Sequence, residues 1–289
     1  MPWPCVPLAV LLVILGNIFC GNLDATAGAP VDLKKEARRY EGKLLLLSAP
    51  SRFDLIHFDT QGHPTREAMA EPWTMAGLFR ARKIDLRDRQ ITIEGERAVV
   101  ALQSDASGLK LAAVPVGRAV YITLEMPPIQ CAAELKQFMS QVFSEDIQEK
   151  IAGAWRADVD LNSLAHSTSL PADGRVGTLA NGRAVYAWQS GVVTQPKAFY
   201  KPGPTYAANA LLKRISGVVQ VRVIVNEKGF PEVLEVIQHL PEGLDAGVLA
   251  AVSQWRFKPG IREGLPTPTV VIVEINFHLE NARPSRPRK

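Results

Sequence analysis

The chain has 289 residues, 47% of them apolar and 21% charged. That length predicts about two domains of roughly 150 residues each, and the composition excludes a disordered chain, a collagen-like chain and a polytopic membrane protein. The formal net charge is +4, and the tail residues Arg283, Arg286, Arg288 and Lys289 supply all of it. A basic chain end of this kind reads as solvated and disordered, and it is not the basic folded face that nucleic-acid binding needs.

The first thirty residues read as an address. Leu8 to Leu15 (LAVLLVIL) is an unbroken apolar run, and the apolar stretch extends from Val6 to Cys20 with Asn17 as its one interruption. A bilayer core of about 30 Å needs roughly 20 helical residues, so the run is short for a span and right for the core of a signal peptide. Ala25-Thr26-Ala27 then offers a small-x-small cleavage site, with Gly28 as the first mature residue. MPWPCVP carries no Lys or Arg, so the terminal amine alone makes the positive end. A short uncleaved anchor is the alternative for residues 1–27. Cys20 adds a lipoprotein reading, with the large Phe19 where a small residue is wanted. All three readings export the remaining chain. Processing would leave Cys131 as the lone thiol, expected buried, and that excludes a disulfide framework or a multi-cysteine metal site within the chain.

Residues 31–157 are expected to form a strand-rich domain. Lys43–Ser48, Phe53–Phe58, Ile84–Leu86, Ile91–Ile93, Ala98–Leu102, Leu109–Val114 and Val120–Leu124 are seven short candidate strands, spaced by Gly, Asp and Ser. The period then changes. Leu135, Phe138, Met139 and Val142 lie on one helical face, and Ser144 is placed to cap a second helix holding Ile147, Ile151 and Trp155. The stretch 158–195 reads as a linker, with a hairpin at Asn181-Gly182 between Leu179 and Val185–Trp188.

Motifs for chemistry are missing. The chain has no phosphate loop, no GxGxxG, no HExxH, no CxxC and no GxSxG. His57, His63, His166, His239 and His278 show no ligand spacing. No catalytic residue, metal ligand or cofactor is assigned, and the chain is not read as an enzyme.

Residues 196–280 carry the clearest pattern. Pro204 to Arg214 reads as a short helix with Thr205 as N-cap, stopped by Gly217. Val219, Val221, Val223 and Val225 alternate with Gln220, Arg222 and Ile224, a strand with one strongly apolar face. Asn226–Gly229 is a turn, and Glu232–His239 is the return strand. Gly243-Leu244-Asp245 opens a second helix, with Asp245 as cap and Val248, Ala251, Val252 and Trp255 as its buried stripe. Trp255–Gly260 ends that helix, and a long final strand presents Val271, Val273, Ile275, Phe277 and Leu279 on one face. The fold class is α+β: a three-stranded antiparallel sheet with two helices, preceded by a mainly β domain with a short helical segment. A long last strand leaves an edge that is either covered or used.

These residues resemble the C-terminal domain of TonB-type energy transducers. The likeness rests on Pro204-x-Tyr206, Gly217-Val-Val-Gln-Val-x-Val, Asn226-x-x-Gly229, Gly243-Leu244-Asp245, Ala250–Pro259 with its Trp255-Arg256-Phe257-Lys258-Pro259, and Gly264-x-Pro266 leading to Ile275-Asn276-Phe277. It covers a little under a third of the chain. The resemblance implies a periplasmic domain that captures an extended segment of a TonB-dependent outer-membrane transporter by strand addition. It also implies an inner-membrane motor of the ExbB/ExbD type that drives it. The recognition strand corresponds to Thr269, Val270, Val271, Ile272, Val273, Glu274, Ile275 and Asn276. A structural or assembly module of the cell envelope, with the last strand paired in a homodimer or on the middle domain, is the alternative.

Overall fold

The structure is a computed structural model, and it describes residues 32–66, 71–105, 108–145, 147–159 and 170–279. The expected signal or anchor, the basic tail and His166 lie outside the described residues. No helix among those described is long and apolar enough to cross a membrane.

The N-terminal part begins with α1 (Leu33–Arg38), capped by the Asp32 carboxylate on the amides of Lys34 and Lys35. Then come β1 (Leu44–Leu47), β2 (Leu55–Phe58), α2 (Trp73–Ala76), β3 (Leu78–Arg87), β4 (Gln90–Asp105) and β5 (Gly108–Glu125). The next elements are α3 (Ala132–Val142), β6 (Phe143–Ser144), α4 (Gln148–Ala152), β7 (Trp155–Ala157), β8 (Arg175–Leu179), β9 (Ala184–Ala187) and β10 (Lys197–Tyr200). The last part holds α5 (Ala208–Leu212), β11 (Gly217–Val225), β12 (Pro231–Gln238), α6 (Leu244–Val252), β13 (Arg256–Lys258), β14 (Gly260–Arg262), β15 (Leu265–Thr267) and β16 (Thr269–Phe277).

Several expected strands fuse. Ile91–Ile93 and Ala98–Leu102 belong to the single strand β4, and Leu109–Val114 and Val120–Leu124 both belong to β5. Within each fused strand, the gap between the two expected runs holds an irregularity rather than a turn. The β4–β5 register shifts between Glu96 and Ala98, Gly117 takes φ +69°, and the Gly117 amide donates to the Glu96 carboxylate at 3.0 Å. The α3 face is as expected, with Leu135, Phe138, Met139 and Val142 all buried. Ser144 caps nothing: it sits in β6, and α4 starts after Ile147 without a side-chain cap. Thr205 is likewise not the cap of α5, whose N-cap position is Ala207.

The largest departure concerns where the C-terminal sheet stops. β12, β11 and β16 do lie side by side and antiparallel, with α5 and α6 packed on the face of Val219, Val221 and Val223. Yet they are the middle of a twelve-stranded sheet ordered β6-β1-β3-β4-β12-β11-β16-β9-β8-β7, with β5 on β4 and β2 on β5. Strand β4 makes the seam. Its first part pairs with β3 up to Arg97, and its later residues Ala101 and Leu102 pair in parallel with Leu234 and Glu235 of β12. The second face of β11 is buried too, with Arg222 and Ile224 only 3% and 2% exposed. Arg222 meets Glu235 on the neighbouring strand at 2.5 Å. Burial pushes the Glu235 carboxyl up, against the pull of that guanidinium.

The stretch expected as a linker supplies β8 and β9 as the hairpin, and both are strands of the same sheet. The reason is apolar. Val176, Leu179, Val185 and Ala187 cannot stay in water, and with Trp155 they bury against Ile224, Val233 and Val270.

Candidate partner-binding edge

The motif residues of the C-terminal part turn out to build the scaffold. Trp255 donates its indole N–H to the Pro202 carbonyl at 3.0 Å, fixing the segment that enters α5. The Tyr206 hydroxyl donates to the Ile215 carbonyl, and its ring meets Phe277 of β16 edge-on at 5.1 Å. The Asn226 side-chain oxygen accepts from the amides of Lys228 and Phe230, both at 3.0 Å, and shapes the β11–β12 turn. Asp245 does not cap α6, because the N-cap position is Gly243. Its carboxylate instead accepts from the Leu240 amide at 2.9 Å and from His239 at 2.7 Å. Trp255–Gly260 does more than end the helix: Arg256–Lys258 is strand β13, paired with β10.

Arg256 is claimed from outside the motif. Its guanidinium lies 2.5 Å from Glu71, whose side chain is 5% exposed, and it stacks over the Phe230 ring at 4.5 Å. Burial lowers its pKa, while Glu71 pulls the other way. No sequence signal pointed to Glu71.

The backbone of β16 decides what its edge can offer. All nine residues pair with β11 without a register shift, from Thr269 opposite Val225 to Phe277 opposite Gly217. On the other side only Thr269 and Val270 have partners, Tyr186 and Ala187 of β9, in parallel. The Tyr186 amide donates to the Pro268 carbonyl at 2.9 Å. Pro268 therefore points its carbonyl towards β9, and the backbone alternates from there. Thr269, Val271, Val273, Ile275 and Phe277 turn their amides to β11. Val270 turns its own to β9. Ile272, Glu274 and Asn276 turn theirs to the side where, among the described residues, no strand pairs with β16.

Side chains follow the same alternation. Val271, Ile275 and Phe277 are buried under the helices, with Val273 packed beside them, while Glu274 and Asn276 are exposed and Ile272 is half-buried. Glu274 accepts from the Gln220 side chain at 2.7 Å. Of the eight positions expected from the sequence, Thr269 and Val270 are thus occupied by the chain's own hairpin. Three of the remaining six present open backbone.

The four described histidines form no metal-binding group. His57, His63, His239 and His278 are all exposed. Among the described residues no group of three or more His, Cys, Asp or Glu could hold a metal. Cys131 is half-buried at the start of α3, less enclosed than expected.

Residues 202–279 match the family model described as the Gram-negative bacterial TonB protein C-terminal. This segment is a TonB-type C-terminal domain. The match spans about a quarter of the chain and leaves the N-terminal part uncovered. The solution NMR structure of the Pseudomonas aeruginosa TonB C-terminal domain is similar at 22% identity, over 34% of this chain and 96% of that one. Its TM-score is 0.27, too low for the superposition to carry weight. No curated protein matches the chain. The TonB-type domain here differs from a free-standing unit in a plain way: β4 adjoins it on one flank and β9 on the other. Domains of this family are interaction modules rather than enzymes.

Proposed function

We propose that this chain is an exported TonB-like adaptor whose C-terminal domain captures an extended segment of a TonB-dependent outer-membrane transporter in the periplasm, by strand addition to β16. The observation that supports this reading is the row of outward backbone groups at Ile272, Glu274 and Asn276 beside a strand otherwise fully paired. Main-chain hydrogen bonds give such a complex its affinity, and alternate side chains its selectivity. Thr269–Asn276 is the proposed recognition strand, with the incoming pairing centred on its second half. Work delivered by an inner-membrane ExbB/ExbD-type motor belongs to the same proposal, and it requires a tether at the N-terminal segment. The middle part, joined to the domain through β4, would carry the load.

Proline at position 274 tests the reading. Glu274 turns its amide away from β11, so Glu274→Pro removes an outward donor and no β11 bond. Binding of a transporter-derived peptide is expected to weaken tenfold or more, which corresponds to about 1.4 kcal/mol. Glu274→Ala, which keeps the amide, should bind normally. Equal binding by the wild type and Glu274→Pro, measured by titration calorimetry, overturns strand capture at this edge.

A second reading draws on the same open edge: two copies of the chain pair through β16, making an assembly module of the cell envelope. Sedimentation separates the two. A monomer at all concentrations supports peptide capture, and a tight dimer that Glu274→Pro dissociates supports assembly.

A further inference from the structure

The chain already seats one of its own strands on the edge it would offer to a partner. Strand β9 runs parallel to β16 over Thr269 and Val270 and then leaves, because Gln189 turns off to bridge Val193. Three ties hold it there. The Tyr186 amide bonds the Pro268 carbonyl. Arg183, at the hairpin turn, bonds Glu232 at 2.7 and 2.9 Å and also reaches Glu227, both flanking the β11–β12 turn. The buried cluster around Val185 and Ala187 adds an apolar contact. Both carboxylates raise the Arg183 pKa, against its partial burial.

Any strand added to β16 must take the track that β9 occupies, about 4.8 Å from β16. Its inner end is therefore fixed by the place where β9 stops. Trp188 follows Ala187 directly and is 54% exposed. Its half-exposed indole offers an apolar face where β9 ends.

We propose that the β8–β9 hairpin limits the captured strand to the span opposite Ile272–Phe277, and that Trp188 receives the side chain at the segment's inner end. The fitting partner is an extended segment of about six residues, roughly 17 Å long, with an apolar side chain at that end. This rests on the strand-capture reading and adds to it the length and the end-specificity of the ligand.

Nested synthetic peptides test it. They are taken from the periplasm-facing N-terminal segment of an outer-membrane transporter, span about four to twelve residues, and are titrated into the full chain. Affinity should rise with length to about six residues and then stay flat. Trp188→Ala should weaken the six-residue peptide about fivefold, and it should not affect a peptide with glycine at the inner end. The same glycine peptide, used with the wild-type chain, gives the comparison without any mutation. Affinity that keeps climbing beyond about eight residues, or indifference to both the Trp188 and the glycine changes, overturns the inference and leaves strand capture standing. If no peptide of any length binds, strand capture itself falls and the length limit falls with it.

Discussion

Gly229→Ala is expected to destabilise the chain by about 4 kcal/mol, or to prevent folding altogether. Gly229 closes the β11–β12 turn at φ +81°, a region that L side chains rarely adopt. A Cβ there would stand 1.9 Å from the Phe257 carbonyl oxygen, a backbone atom that cannot swing aside. The closeness has a purpose, since the Phe257 amide donates to the Gly229 carbonyl at 2.9 Å. The turn and the Trp255–Pro259 motif are thereby one structure, and the two sequence signals report a single contact. Chemical denaturation of the soluble variant, or its loss to the insoluble fraction, reads the effect. A loss of stability below about 1 kcal/mol would mean that the turn and β13 do not meet as described.

Glu71→Gln is the second large effect, expected at about 3 kcal/mol. The Glu71 side chain is 5% exposed and lies between Arg256 at 2.5 Å and Arg52 at 3.8 Å, so neutralising it leaves two guanidiniums near each other without the carboxylate that balances them. Breaking a buried pair from one side costs far more than the pair itself contributes. Glu71 belongs to the middle part and Arg256 to the TonB-type domain, so this variant also measures how firmly the two parts are joined. Single cooperative unfolding of the wild type, with a lower midpoint in the variant, is the expected result. Two separate transitions in the wild type would mean that the shared sheet is not one unit.

Most of the C-terminal architecture was legible in the sequence because it depends on local signals. Val219, Val221, Val223 and Val225 alternate, Asn226 and Gly229 make a turn by their own side-chain and backbone chemistry, and Val248, Ala251 and Val252 follow the helical period. Position-by-position capping was less legible. Thr205, Ser144 and Asp245 each have a capping side chain, and none of them caps, because the chain enters each helix at a different residue. What the sequence hid was long-range. The parallel contact of Leu234 with Ala101 joins residues far apart along the chain and leaves no periodic trace. Strand β9 was readable as half of a hairpin, but its docking on β16 depends on packing against Ile224, Val233 and Val270 that no local pattern announces. Within Thr269–Asn276, the pairing of the first two positions with β9 is therefore the part that no local pattern shows.

Amide hydrogen exchange at β16, with and without a transporter peptide, tests the account most directly. In the free chain Val271, Val273 and Ile275 should be protected by β11, and Val270 by β9, while Ile272, Glu274 and Asn276 exchange fast. Saturating peptide should slow those three by tenfold or more and leave the other four unchanged. Bound peptide with Ile272, Glu274 and Asn276 still exchanging at their free rates would contradict strand capture on this edge.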